Sequence, residues 1–244
     1  MVTLSLLIVV PARGGSKRLP GKNLKQLGGK SLIAHTAEAV ARSGLEAPVL
    51  LTTDDAAIAE EGRRAGMLAP FLRPDDLAGD DAPTAAAVLH ALDWFHDDSG
   101  GDPDAVMVLQ PTSPFRGGNI LRAALEMLEA RGDIDSVVAM TEVHLPADKI
   151  FVADERGCAV PACAEARRPV YQPNGSLYLT RTGALRAAGT LYAGHILPCV
   201  SDSLRGLDID TAEDWRLAEA LVAAGLPPER KSFSAGPSTT ENTP

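Results

Sequence analysis

Apolar and polar positions fall along the chain in blocks whose period switches between two patterns. LSLLIVV (4–10) is apolar at every position but Ser5 and is stopped by Pro11, the pattern of a strand buried on both faces. SLIAHTAEAVARSG (31–44) sets Leu32, Ile33, Thr36, Ala37 and Val40 on one face and ends at Gly44, which predicts a helix with a glycine C-cap. PVLLTTDD (48–55) reads as a strand running into polar residues, and Asp55 to Ala65 as a helix. A helix over Thr84–Phe95, a buried strand AVMVLQ (105–110), a helix near Ile120–Ala130 and a strand SVVAM (136–140) follow. Strands alternating with helices predict an α/β fold with a mostly parallel sheet and helices on both faces.

From about Glu142 to Gly175 the order breaks down. Short β-like pieces such as KIFVA and CAV alternate with polar residues and prolines, which predicts a small β-hairpin excursion from the main sheet. SLYLT (176–180) resumes as a strand, and TAEDWRLAEALVAAG (211–225) is a final amphipathic helix started by Thr211. The expected organisation is one domain over 1–228 and a disordered tail over 229–244, where Ser, Thr, Pro and charged residues take over.

Composition narrows the function classes. The 244 residues carry a formal net charge of −9, which opposes nucleic-acid binding by bulk electrostatics. Cys158, Cys163 and Cys199 form no CxxC pair, so neither a disulfide framework nor a zinc site is indicated. The apolar run 4–10 is far too short to span a membrane, and a reducing cytoplasm is the expected compartment.

Against this acidic background VVPARGGSKRLPGKNL (9–24) has no acidic residue. It directly follows the first strand, at the end where open α/β sheets bind ligands. Its glycines let backbone amides approach phosphate oxygens, and Arg13, Lys17, Arg18 and Lys22 supply countercharge. It is not a Walker A loop: Gly15 and Gly21 are separated by five residues and Asn23 stands where Ser or Thr is needed. The absence of a GxGxxG pattern there removes the dinucleotide reading. In LDIDTAEDW (207–215), Asp208 and Asp210 are two apart, so in an extended strand both carboxylates face one way, a donor set suited to Mg²⁺. Asp210 serving only to cap the last helix is the alternative. LQPTSPFR (109–116) follows a buried strand and bears Gln110, Thr112, Ser113 and Arg116, polar groups able to hydrogen-bond an acceptor, although its two prolines equally suit a rigid turn. His35 and His90 read as packed or surface groups on helices, and Trp94 and Trp215 as packing residues.

PARGGSKRLPGKN, together with LRPDDLAGDDAPT (72–84), LQPTSPFR, LDIDTAEDW and the less complete PNGSLYL (173–179), resembles the cytidylyltransferases that activate acidic sugars, above all the CMP-N-acylneuraminate (sialic acid) synthetases. The match runs in order from Val9 to about Leu221. It implies a Rossmann-like nucleotidyltransferase fold with a hairpin used for dimerisation, CMP transfer from CTP to an acidic acceptor, pyrophosphate release, Mg²⁺ and a homodimer. By resemblance Arg13, Gly14, Ser16, Lys17 and Lys22 go to the triphosphate, Asn23 lies near the nucleoside, and Arg73 and Thr84 hold the cytidine. Arg13, Lys17, Lys22 and Asp210 form the catalytic set, with metal at Asp208 and Asp210. The acceptor set is Gln110, Thr112, Ser113, Lys149, Arg168, Gln172, Asn174, Tyr178 and Tyr192, with Arg167 and Arg168 left as alternatives for the carboxylate contact.

Departures bear on the acceptor. Sialic acid enzymes usually read RPNG where this chain reads QPNG, so Gln172 removes a charged bidentate donor. Leu191–Tyr192 stands where paired aromatics are common. A sialic-acid-like nonulosonic acid is the expected acceptor. The alternatives are a phosphonate or carboxy-phosphonate of antibiotic biosynthesis and a catalytically silent nucleotide binder. A ketodeoxyoctonate is set lower, because relatives specific for it tend to carry an acidic residue in place of the PTSP run.

Overall fold

The first apolar run forms β1 (Leu6–Pro11), which pairs in parallel with β4 (Val49–Thr52) on one side and β5 (Ala105–Val108) on the other. The computed structural model describes residues 3–79, 81–143, 149–153, 155, 158–161 and 170–225. Beyond β5 the six-stranded sheet continues through β9 (Val170–Arg181), β6 (Ser136–Val143) and β10 (Ile196–Ser201). β9 runs antiparallel to both neighbours, and the other strands share one direction. The mostly parallel sheet expected from the sequence is present, with one reversed strand near its middle.

Alternation along β1 decides which helix covers which face. Leu6, Ile8 and Val10 pack with Ile33 and Val40 of α1 (Leu32–Ser43), Ile58 of α2 (Ala56–Arg64) and Leu121 and Leu128 of α4 (Gly118–Glu129). Leu7 and Val9 meet Val88 and Leu92 of α3 (Thr84–Ser99) and Leu185 of α5 (Thr182–Ala188) on the opposite face. α1 ends as predicted at Gly44, which closes the helix at φ 63°, and at its other end Ser31 caps through its hydroxyl, a cap the sequence reading did not name.

A smaller core holds the segment after β1. Leu19, Leu27, Phe115 and Ile209 pack with Trp215 and Ala218 of α6 (Ala212–Ala224). The short antiparallel pair β2 (Gln26–Leu27) and β3 (Lys30–Ser31) turns at Gly28. A Cβ at Gly28 would stand 2.9 Å from the Val222 side chain of α6, so a larger residue there would push the helix away. Lys25 lies 4.2 Å over the Trp215 ring.

The β2–β3 pair has no counterpart in the sequence reading, and β10, α5 and the start of β9 also differ from it. β10 carries Pro198, tolerated because β10 is an edge strand. α5 spans a single short stretch capped by Gly189 at φ 65°, too brief for its periodicity to show. β9 begins six residues before SLYLT and runs through Pro173 and Gly175, residues that normally interrupt a strand; a register shift in its pairing with β6 between Val138 and Met140 accommodates them. The hairpin excursion is present as the antiparallel pair β7 (Phe151–Ala153) and β8 (Ala159–Pro161). The 229–244 tail, Cys163, Arg167 and Arg168 lie outside the described residues.

Candidate active site

The loop after β1 folds back on itself around Asn23. Its side-chain amide donates to the Arg13 carbonyl at 2.9 Å, and Leu19 anchors the loop in the small core. Gly14 donates its N–H to Asp54 Oδ1 at 2.9 Å, and a Cβ at Gly14 would lie 2.8 Å from Asp55 Oδ2. Only glycine permits this approach to the end of β4. Arg13 reaches the Gly79 carbonyl at 3.4 Å.

These residues form one wall of a cleft of about 280 Å³ at the carboxyl ends of β1, β4 and β5. Arg13, Lys22 and Asn23 of this loop line the cleft together with Arg73, Thr84, Gln110, Thr112, Asp208 and Asp210. Gly14, Ser16 and Lys17 sit on the loop outside the lining. Arg73 is 7% exposed, and its guanidinium donates to Thr52 Oγ1 at 3.2 Å and to the Thr52 carbonyl at 2.6 Å. Burial lowers its pKa, Asp54 opposes that shift and Arg13 adds to it. Thr84 opens α3, whose N-terminus has no side-chain cap, since Pro83 occupies the cap position.

Asp208 and Asp210 occupy an extended stretch that pairs with no strand, which corrects the β-strand assumed for them. Their shared orientation survives, because Ile209 points into the small core and its N–H is held by the Thr112 carbonyl at 2.8 Å. Lys22 Nζ contacts Asp210 Oδ1 at 2.8 Å, and Arg18 contacts Asp210 Oδ2 at 2.6 Å. Asp210 is therefore no helix cap. Thr211 caps α6, and Asp214 completes the capping box while accepting the Asp210 N–H at 3.0 Å. Burial pushes the Asp208 pKa up, a Thr112 hydrogen bond pulls it down, Asp210 raises it and Lys22 lowers it. Asp208 Oδ1 is buried with no hydrogen-bond partner. Two carboxylates aimed into one cleft, one with an oxygen left unsatisfied, are the donor set a small hard divalent cation takes when phosphates complete its shell.

The predicted acceptor residues separate into groups. Gln110 and Thr112 line the cleft. Tyr178 stacks on Tyr192 with centroids 5.9 Å apart and planes 13° from parallel. Burial, then Asp208 and Tyr192, raise the Tyr178 pKa. Ser113 is fully buried and its hydroxyl donates to the Asn174 carbonyl at 3.3 Å. Asn174 directs its amide to Thr141 Oγ1 at 3.1 Å and Ser201 Oγ at 2.8 Å, so both act behind the surface. Lys149 and Gln172 are exposed and do not line the cleft. Sequence reasoning missed Asp54 and Gly175. The doubled acidic pair after β4 was the available signal for the first, and a glycine inside a strand for the second.

The histidine and tryptophan readings hold. His35 Nε2 meets the Leu27 carbonyl at 2.8 Å, His90 packs edge-on to Phe71 with centroids 4.8 Å apart, and Trp215 is 3% exposed.

A sheet that delivers a cationic loop, a buried arginine and paired carboxylates to one cleft is the frame of a nucleotidyltransferase. Residues 7–154 match the family model described as Cytidylyltransferase, and the chain belongs to that family of enzymes. It is 35% identical over 229 residues to the CMP-N,N'-diacetyllegionaminic acid synthase of Legionella pneumophila, covering 90% of this chain and 97% of that protein. Identity to the pseudaminic acid cytidylyltransferase of Campylobacter jejuni is 30% over 222 residues, covering 88% and 95%. The N-acylneuraminate cytidylyltransferase of Escherichia coli matches at 29% over 220 residues, covering 87% of this chain and 51% of the relative. Among solved structures, CMP:2-keto-3-deoxy-manno-octonic acid synthetase complexed with CTP superposes with a TM-score of 0.67 at 19% identity, covering 90% and 99% of the two chains. At that identity the likeness shows the fold.

Proposed function

We propose that this enzyme transfers CMP from CTP to the anomeric hydroxyl of a sialic-acid-like nonulosonic acid, of the legionaminic type first. The observation that carries this reading is the cleft itself: Arg13, Lys22, Asp208 and Asp210 line one space together with Gln110 and Thr112, with Lys22 paired to Asp210. The likeness to relatives named for legionaminic, pseudaminic and neuraminic acids supports the acceptor class.

The acceptor oxygen attacks the α-phosphorus, the bond from that phosphorus to the bridging oxygen breaks, the hydroxyl proton is released and pyrophosphate departs. Arg13, Lys17 and Lys22, with Gly14 and Ser16 in the loop between them, bind the triphosphate in this reading, and the cations offset the charge that gathers on the leaving group. Asn23 steadies the nucleoside end of the loop, while Arg73 and Thr84 hold the cytidine. Gln110, Thr112 and the Tyr178–Tyr192 stack orient the acceptor, and Ser113 and Asn174 support them from behind. Lys149 and Gln172, exposed outside the cleft lining, belong to the outer acceptor region in this reading, and the resemblance assigns the acceptor carboxylate to Arg168 or Arg167. Asp208 and Asp210 would hold Mg²⁺, which supplies charge neutralisation at the phosphates and acidifies the acceptor hydroxyl when bound.

Phe151, Val152 and Val160 of the β7–β8 hairpin are 55%, 51% and 37% exposed, which supports a homodimer formed through that hairpin. Sedimentation of Phe151→Asp should show a monomer where the wild type sediments as a dimer. No described helix is long and apolar enough to cross a membrane.

Pyrophosphate release with CTP, Mg²⁺ and a panel of legionaminic, pseudaminic and sialic acids and phosphonates tests the reaction. Turnover is expected with the nonulosonic acids, the diacetamido ones above all. Release only with a phosphonate would replace the acceptor class, and tight CTP binding with no release at all would leave a silent nucleotide binder.

A further inference from the structure

Arg116 is 2% exposed and belongs to no part of the cleft lining, yet its guanidinium reaches both chain segments that build the acceptor side. Nε donates to the Ser113 carbonyl at 3.0 Å, one terminal nitrogen to the Ser176 carbonyl at 2.6 Å, and the other to the Gln110 carbonyl. Gln110 and Ser113 sit in the turn after β5, whereas Ser176 lies within β9. We propose that Arg116 is a positioning residue that fixes the distance between these two segments and thereby shapes the acceptor half of the cleft. The inference rests on the acceptor reading given above.

The chemistry of the site favours a positioning role over filler. A buried guanidinium held by neutral carbonyls is a costly way to occupy core volume, which an apolar side chain would fill without the desolvation penalty. Burial draws its pKa down to about 9, with Asp208 the charge that opposes the shift. What a planar fork offers in return is donors in fixed directions, enough to bind three carbonyls from two segments at once. A lysine offers a compact charge without that geometry.

The spacing it holds is tight. Ser176 follows Gly175, where an added Cβ would lie 2.7 Å from Gln110 Oε1 and 3.5 Å from Asp208 Oδ2. The gap between β9 and Gln110 is thus too small for even a methyl group, so the separation that Arg116 sets bears on where Gln110 lies. Arg13, Asn23 and Arg73 stand on other elements, where Asn23 donates to the Arg13 carbonyl and Arg73 to Thr52. The two halves of the cleft should accordingly respond differently when the fork is removed.

The test uses full-length Arg116→Lys and Arg116→Met, with Gly175→Ala as a change that crowds the same gap between β9 and Gln110 without touching Arg116. CTP affinity is measured by calorimetry without acceptor, and acceptor KM and kcat by pyrophosphate release. A rise in acceptor KM of roughly ten- to a hundredfold, with CTP affinity within about twofold, is expected, because misplacement by a fraction of an ångström to one ångström has effects of this order. Arg116→Lys should recover little of the loss despite keeping the charge. Unchanged acceptor KM in folded variants would overturn the proposal, as would parallel weakening of CTP and acceptor. If neither Arg116 variant folds, Gly175→Ala decides: a raised acceptor KM at unchanged CTP affinity supports the proposal, and an unchanged acceptor KM in the folded variant refutes it. A wild type silent towards every nonulosonic acid would instead refute the acceptor reading, and the same split would then be measured with the acceptor that it does use.

Discussion

Asp208 carries a buried carboxylate oxygen with no hydrogen-bond partner, at a position where burial already resists ionisation. An acid whose pKa is raised on folding binds its proton more tightly in the native state, so its ionisation costs stability as pH rises above the unfolded value. Asp208→Asn should therefore melt higher than the wild type in metal-free buffer at neutral pH, by roughly 2–4 °C, the shift that about 1 kcal/mol makes at this size. Calorimetry should show that gain shrinking below the ordinary carboxylate range, where the wild-type group is protonated too. The same variant should lose pyrophosphate release by about a hundredfold or more, measured with saturating CTP. Spacing alone revealed the shared orientation of Asp208 and Asp210. It could not reveal Arg73, which reads as a surface charge before a proline and is in fact buried against Thr52.

Among the elements, α6 bears most directly on catalysis because its first turn holds Asp210 in place. Asp214 Oδ2 accepts the Asp210 N–H at 3.0 Å, the Thr211 N–H at 2.8 Å and the Thr211 hydroxyl at 2.8 Å. Asp214→Ala should cost about 1–2 kcal/mol in urea denaturation and lower kcat/KM, since both the cap and the Asp210 backbone lose their acceptor. An unaltered kcat/KM would separate the cap from the site. Helix ends of this kind were legible, as Thr211 and Gly44 show. Strands containing Pro or Gly were not: Pro198 is acceptable only because β10 is at an edge, and Gly175 only because it adopts φ 74°. Gly175→Ala should destabilise by about 1–3 kcal/mol, read in urea, from strained backbone and its contact with Gln110.

At the scale of the molecule, alternating apolar blocks revealed the layered α/β plan, but the reversed β9 depends on long-range pairing that no local period encodes. The far end of the sheet is held by Arg186, which joins α5 to Asp93 of α3 at 2.7 Å and to Asp102 at 2.7 Å. Arg186 and His96 lower the Asp102 pKa, so this contribution is present above the unfolded pKa and disappears as pH falls. Arg186→Ala should lose roughly 0.5–1 kcal/mol near neutral pH and almost nothing in acid, by urea titration at both. At the mouth of the cleft, meanwhile, Arg18 and Lys22 already hold both oxygens of Asp210. Binding there is an exchange of partners rather than the filling of an open charge. Sulfate or orthophosphate would have to break those pairs and leave Asp210 beside a second anion, so such buffer salts should compete poorly, whereas a nucleotide arriving with its own divalent counterion leaves every charge matched.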